Sequence, residues 1–491
     1  MRDVIFANET RLDVDIVTAF QRFGVRGDPD AGWILAASAA SVELGAAVEL
    51  SLPVPDLGSG RSHVRATARI VELTPFRRIV LAHETPWTGR TTLTFSAEGA
   101  GTVVRAHSEL SEDAIRWVRA LFGDTGRSAS GADADVITLG LVTSLSGDSG
   151  FVGRAVVNCA ALAIGEINGA GGLAGRSLDL HVIDDATDPT TARDRVRAFH
   201  DDHPDAAVIG MHSSLSLQGL EDFLAATGIL YLYVAPHESE QRSGNLFRLG
   251  NSVQAQIDFA VPEVARRTSA RRWYLIGNDY SWPREISRAA RERIELAGSE
   301  VVGEAYVPLG AGISFAGVVD EIIASGADAV VSSLIGYSSV DFEREFSSRD
   351  ARARIATLST LMDERTLELL GSAADGIWSS LSYFSNLGSP ENLRFLQRYN
   401  DAYGEWSPPP SVLSAPVYEA VHLFAQAARR APTLSADDLA NAIPGLLLGG
   451  PRGAIRVSSE GAVHPPMFMA RALGGKLIVD ADADAPRARG A

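Results

Sequence analysis

The residues of this chain that could do chemistry are few, and their spacing fits no catalytic pattern. "GDSG", Gly147–Gly150, has the letters that surround a serine nucleophile. That chemistry needs a histidine and an acid held by an all-β scaffold, and here the segment stands between a strand-like run and a helical one. "GAGGLA", Gly169–Ala174, has the glycines of a dinucleotide fingerprint. Those glycines must follow a strand and open a helix, so that the helix N-terminus meets pyrophosphate. Here they follow a helical run and precede "SLDLHVID", so they read as cap and turn residues. Lys476 is the only lysine, which removes a Walker-type phosphate loop and Schiff-base chemistry elsewhere. Cys159, the only cysteine, lies in the apolar run "AVVNCAALAIGEIN" and reads as a buried small hydrophobe. His200 and His203 end a helical run before Pro204 and read as a solvated pair, not as metal ligands. His83, Glu84 and His107 are the acid–base candidates of the N-terminal part, and alternation favours the solvated face for them. No catalytic residue, cofactor or metal is expected.

What remains is "YLIGNDYSWPRE", Tyr274 to Glu285. It begins as a buried strand and ends as a helix start, with Tyr280 and Trp282 at the join. In an open α/β sheet such a turn is where a ligand sits, and an aromatic there offers apolar area with one polar tip.

The elements that would position this turn alternate along the second part of the chain. "VITLGLV", "SLDLHVID", "AAVIG", "ILYLYV", "RWYLIG", "SEVVGEAYVPL", "DAVVSSLIG" and "RIATLST" read as strands, each with a helical partner. That rhythm predicts an α/β protein with parallel sheets, and its length predicts two lobes with a cleft at the strand ends. Before it, "HVRATARIVEL", "RRIVLAHET", "RTTLTFSAEG" and "GTVVRAHSEL" alternate between turn signals as an antiparallel meander does. "SEDAIRWVRALF", Ser111–Phe122, has helical spacing. Gly123–Asp135 is Gly/Ser/Ala/Asp-rich and reads as a linker.

Composition bounds the rest. The chain has 491 residues, more than one core can serve, and its 46% hydrophobic and 21% charged residues suit a globular protein. A net charge of −17 without basic runs argues against direct nucleic-acid binding. The first residues lack the pattern of a secretory leader, and no stretch of about 18 apolar residues stands out, so a cytoplasmic protein without membrane insertion is expected.

Laid out in this order, residues 136–485 resemble the type I periplasmic-binding-protein fold. The likeness is to the leucine, urea and short-chain amide branch, including the cytosolic amide sensor of amidase operons. It rests on "GLVTSLSGDSGFVGR", "ALAIGEINGAGGLAGRSLDLHVIDDATDP", "VIGMHSSLS", "YLYVAPHESEQ", "LIGNDYSWPRE", "ADAVVSSLIG", "IATLST" and "SYFSNLGSPENLRFLQRYNDAYGE". The resemblance implies lobe 1 at about 136–252 and 384–452, and lobe 2 at about 253–383 and 453–485. It implies that Tyr280 covers a small ligand when the lobes close, with Trp282 at the rim. It places His212 and Ser214 at one loop of the site, and Tyr233, Ala235 and Pro236 at the next. From the second lobe it brings Ser333, Gly336, Ser338, Ser359 and Thr360 to the cleft. Ala235 stands where the amide branch favours a threonine, which removes one hydrogen bond to an amide.

Residues 1–122 are similar to the helix-grip domains of the START and polyketide-cyclase superfamily, α+β folds in which an antiparallel sheet wraps a helix. The functional expectation is non-catalytic binding of a small polar ligand by lobe closure, in a cytosolic sensor with a protein partner or in a homo-oligomer. The alternatives are the substrate-binding component of an ABC-type importer, and an enzyme or lipid binder acting through the N-terminal domain.

Overall fold

The computed structural model describes residues 4–23, 36–39, 41–53, 63–85, 87–99, 101–110, 136–239, 242–310, 312–403 and 407–480. The expected helix Ser111–Phe122 and linker Gly123–Asp135 lie outside the described residues. The chain divides into two compact units: Met1–Gly131 with Leu145–Arg154, and Ala132–Ser144 with Ala155–Ala491.

The first unit is built on one antiparallel sheet. Its strands are β1 (Val4–Leu12), β2 (Ala36–Ala39), β3 (Ala47–Pro53), β4 (His63–Thr74), β5 (Arg78–Thr85), β6 (Gly89–Glu98) and β7 (Gly101–Leu110). They lie in the order β1-β7-β6-β5-β4-β3-β2. The meander expected from sequence is β4 to β7, and β1 closes back onto β7 with Val4 opposite Leu110. The helix Ile16–Arg22 starts where Asp15 accepts from the Val17 and Thr18 amides at 3.0 Å. It buries Ala19, Phe20 and Phe23 against Val48, Leu50, Ile70, Leu81 and Phe95. Phe20 meets Phe95 edge-on, with ring centroids 5.3 Å apart.

His83 and Glu84 depart from the expected solvated face. β5 is the central strand and is covered on both faces, so both residues are buried. Trp87 Nε1 donates to His83 Nδ1 at 3.0 Å, which leaves Nε2 as the donor to Thr91 Oγ1 at 2.8 Å. Burial lowers the His83 pKa to about 4. On the other face Glu84 pairs with Arg69 at 2.9 Å, and Arg69 Nη1 also donates to the Gly45 carbonyl. His107 is half-exposed beside Glu109.

The second unit has two sheets. In the first lobe, β8 (Val136–Thr143), β9 (Ser177–Asp184), β10 (Ala207–Met211), β11 (Tyr231–Tyr233) and β12 (Leu246–Arg248) lie in the order β12-β11-β10-β8-β9, all parallel. In the second lobe, β13 (Arg272–Asn278), β14 (Glu300–Val307), β15 (Ala329–Ser333), β16 (Ala356–Ser359) and β17 (Trp378–Leu381) are parallel. Their order is β14-β13-β15-β16-β17. A hairpin of β18 (Leu447–Gly450) and β19 (Gly453–Arg456) stands apart. β20 (Phe468–Leu473) and β21 (Lys476–Val479) then add antiparallel strands beyond β17.

β13 shows why a continuous apolar run is needed in a sheet covered twice. Trp273 and Leu275 face the helices Val253–Thr268 and Ser281–Leu296, while Tyr274 and Ile276 face Ala316–Ala324 and Gly336–Ser348. "GAGGLA" ends the helix Gly153–Gly169 and forms the turn into β9. Gly171 and Gly172 have positive φ, and a Cβ on Gly172 would meet the Arg176 carbonyl at 2.1 Å. Cys159 is buried on the same helix, and burial pushes its thiol up to about 12. The segment Gly150–Gly169 corrects one expectation. It is long and apolar enough to cross a membrane by composition, but 67% of its apolar 18-residue window is buried, as in a core helix. His200 and His203 are half-buried instead of freely solvated, with His200 edge-on to Phe223 and His203 beside His181.

The lobes are joined where the chain passes between the sheets, and one buried ion pair ties these passages together. Arg452 and Glu419 are both 0% exposed and 2.7 Å apart. Arg452 also donates to the Leu249 carbonyl at 3.3 Å and to Ser382 Oγ at 3.4 Å. Leu249 follows β12, Ser382 follows β17 and Arg452 lies in the β18–β19 turn. A Cβ on Gly450 would stand 2.5 Å from the Glu419 side chain, so glycine is needed there.

Candidate functional site

The carboxyl ends of the parallel strands are where side chains can converge on the cleft. In the first lobe β8 ends at Thr143, β9 at Asp184, β10 at Met211 and β11 at Tyr233. Asp185, fully buried, organises this end. It accepts from Ser144 Oγ and Ser216 Oγ, both at 2.6 Å, and from the Thr187 amide at 3.0 Å. Three donors satisfy this carboxylate inside the lobe.

His212 and Tyr233 are packed beneath the next loops. His212 Nδ1 faces the Ser213 carbonyl at 3.1 Å and must donate to it, so Nε2 accepts from the Tyr231 hydroxyl at 2.6 Å. Burial lowers the His212 pKa and keeps the ring neutral. Gly210 admits this arrangement, since a Cβ there would lie 2.5 Å from the Tyr231 ring. Tyr233 donates to the His212 carbonyl at 2.8 Å, and its own pKa is raised by burial first and then by Glu238. Ala235 and Pro236 are buried at the end of β11. A Cβ on Gly250 would lie 2.0 Å from the Ala235 carbonyl oxygen, so the backbones touch where the chain leaves the lobe.

The two lobes meet at Glu238. Ser214, the first residue of the helix Ser214–Gln218, donates from Oγ to Glu238 Oε2 at 3.1 Å. Ser281, the first residue of the helix Ser281–Leu296, donates to Glu238 Oε1 at 2.5 Å. A carboxylate from the first lobe is thus held by a hydroxyl of each lobe. Leu215, beside Ser214, packs on the apolar cluster of the second lobe.

The turn that follows β13 is arranged differently from expectation. Trp282, expected at the rim, is 2% exposed and lies with Tyr280 in the apolar cluster of Ile286, Ala289 and Ile335. The apolar face of the amphipathic helix that begins at Ser281 draws both rings inward. Among the described residues the Trp282 Nε1–H has no hydrogen-bond partner.

The second-lobe hydroxyls expected at the cleft are mostly engaged within their own lobe. Ser333 donates to the Ile276 carbonyl at 3.2 Å, Ser338 to that of Gly310 at 3.1 Å and Thr360 to that of Ser332 at 3.2 Å. Gly336 opens the helix Gly336–Ser348 with φ 60°, a conformation glycine adopts without strain. Ser359 is buried, and its hydroxyl is the one of this set left without a partner.

Residues not expected from sequence complete the seam between the lobes. Gln256 Nε2 donates to the carbonyls of Thr360 and Ser380, both at 2.7 Å. Asp363 caps the helix Glu364–Leu370 through the Thr366 amide at 2.9 Å. Glu364 Oε1 accepts from the Ser385 amide, on the passage that leads back to the first lobe, while Oε2 has no partner among the described residues. Burial, with the charge of Asp363 beside it, pushes Glu364 up to about 8. Among the described residues no group of acids, histidines and cysteines could hold a metal ion.

The family described as Periplasmic binding protein matches residues 136–476. The "Leu/Ile/Val-binding protein homolog 4" of Brucella abortus (strain 2308) is 24% identical over 347 residues, covering 68% of this chain and 82% of that protein. A leucine binding protein of Thermotoga maritima has a similar structure, with a TM-score of 0.63 and 16% identity, covering 70% of this chain and 98% of that one. So has a solute binding protein of an ABC transporter from Rhodopseudomonas palustris BisB5, solved with 3,4-dihydroxybenzoic acid. Its TM-score is 0.64 at 20% identity, covering 70% of this chain and 96% of that one.

Proposed function

Because this chain belongs to the periplasmic binding protein family, a family of solute-binding proteins and not of enzymes, we propose that its cleft binds a small amino-acid-type molecule. On this reading the protein is the substrate-binding component of an ABC-type importer. One observation carries the binding reading: the hydroxyls of Ser214 and Ser281, from opposite lobes, converge on the carboxylate of Glu238. A small polar molecule gripped there is bound best when the lobes are shut, so binding shifts the population toward closure. The import role is supported by the Leu/Ile/Val-binding relatives and by the transporter components of similar fold.

The test is a thermal-shift screen of leucine, isoleucine, valine, urea, short amides and hydroxybenzoates. A ligand that binds only the native state, present at a hundred times its Kd, adds about 2.7 kcal/mol to stability. At least one amino acid raises the melting temperature on this reading. A flat response to the whole panel contradicts it.

A cytosolic sensor using the same cleft is the second reading, favoured by the folded antiparallel unit that precedes the lobes. Location separates the two. Tagged protein that fractionates with the native host's cytosol supports the sensor, and recovery from the cell envelope or exterior supports the importer.

A further inference from the structure

Glu238 is the unusual group of the cleft. A carboxylate offers about four acceptor positions, and the Ser214 and Ser281 hydroxyls use one on each oxygen. Among the described residues no arginine, lysine or histidine bonds it, and the chain's only lysine is Lys476. Arg248, whose charge is felt at Tyr233, pairs with Glu221 at 3.5 Å. Asp185 adds a second carboxylate at the same strand ends, and the neutral His212 offsets neither charge.

The two serine hydroxyls are the donors a ligand carboxylate would want, and both are already given to Glu238. An acid entering here must displace the Glu238 carboxylate from them and then sit beside its negative charge in a partly desolvated site. An ammonium meets the opposite situation. It supplies the missing cation, takes the open acceptor positions and leaves both hydroxyl bonds in place.

We propose that Glu238 makes the cleft selective for amines: it is the acceptor for the ligand's ammonium group, and it excludes ligands that carry a carboxylate without an amine. The proposal rests on the reading of the cleft as a small-molecule site and refines it. The ammonium then lies between the hydroxyl of one lobe and that of the other, so neutralising Glu238 stabilises the closed form. A carboxylate on the ligand is tolerated but not required.

The test is calorimetric titration of the full chain at pH 7 with L-leucine, with 3-methylbutylamine (leucine without its carboxylate) and with 4-methylpentanoate (leucine without its ammonium). Wild-type protein is expected to bind leucine and the amine, with 4-methylpentanoate about thirtyfold weaker or more. Glu238→Gln keeps the shape and removes the charge. It is expected to lower leucine affinity by a similar factor and to bring the acid and the amine to within a few-fold of each other. Equal binding of 4-methylpentanoate and leucine by wild type overturns the proposal while leaving the cleft a ligand site. So does unchanged leucine affinity in Glu238→Gln. Heat from none of the compounds overturns both the proposal and the amino-acid reading beneath it. The wild-type ranking needs no variant, so a folding defect in Glu238→Gln cannot obscure the outcome.

Discussion

The antiparallel unit and the two-lobed unit each bury a titratable side chain in its neutral form, and they do so with opposite consequences. In the first, His83 sits on the central strand with both ring nitrogens bonded, to Trp87 and Thr91. In the second, Glu364 sits on the seam between the lobes with one oxygen bonded to the Ser385 amide and the other without a partner. Asn251, Gln256, Ser359 and Ser380, also along that seam, carry unpartnered polar atoms among the described residues. A sheet that never opens can satisfy every group once. On the proposed reading, a seam that opens and closes leaves some groups to water in one of its states.

The largest expected effect is at Glu364. Its folded pKa, about 8, lies above the ordinary 4.5, so the native protein holds a proton that the unfolded chain has released. Stability from this group is full below about 4.5 and falls as pH rises toward about 8, by up to about 5 kcal/mol. Glu364→Gln should remove that fall, so hydrogen exchange of the lobe strands at pH 8.5 becomes slower in the variant than in wild type. Equal exchange at both ends of the range would mean that Glu364 is charged in the native protein.

Arg452→Ala comes next. It leaves Glu419 buried and unpaired and frees the passages at Leu249 and Ser382, a loss of about 4 kcal/mol. Denaturant titration followed by exchange should show the loss in the lobes and not in β4 to β7. A uniform loss would show that the units unfold together.

His83 has the opposite sign and a smaller size. Its folded value of about 4 lies below the ordinary 6.5, so the unfolded chain takes up the proton first. Stability is full above 6.5 and is lost as pH falls toward 4, by about 3 kcal/mol. Acid titration of amide protection in β5 and β6 checks this, and His83→Gln should flatten the profile.

Ser214→Ala should change least. It removes one neutral hydroxyl that water can partly replace, about 1 kcal/mol of ligand affinity, and leaves folding intact. Titration with the best ligand of the screen measures it.

The same contrast explains what could be read from the sequence. The inner parallel strands β8, β10, β11, β13, β15 and β16 announce themselves as apolar runs, while the partly exposed edge strands β9 and β14 are read from the strand–helix rhythm around them. β12 and β17 do not stand out, because "LFR" ends in an arginine and "WSSL" carries two serines, so neither reads as an apolar run. His83 and Glu84 were misplaced because alternation cannot tell a half-buried strand from a central one covered twice. At the cleft, the resemblance points to Ser214 and Tyr233 and a strand end points to the turn at Tyr280; the structure bonds Ser214 to Glu238 and buries Tyr233 and Tyr280. The hydroxyls of Ser333, Ser338 and Thr360 satisfy carbonyls of their own lobe, as a hydroxyl at a strand end or helix start does as readily as it meets a ligand. Glu238 went unnoticed because its partner Ser281 is 43 residues away. The available signal is an acid at the end of the buried loop 234–237 that follows β11.

The central claim is that the ligand is held between the lobes, at the meeting point of Ser214, Glu238 and Ser281. Hydrogen exchange of the full chain, with and without whichever amino acid gives the largest thermal shift, tests it most directly. The account predicts slowed exchange at residues 212–216, 235–239 and 278–284, with β4 to β7 unchanged. Protection confined to β4 to β7 would place the ligand in the antiparallel unit and contradict the account.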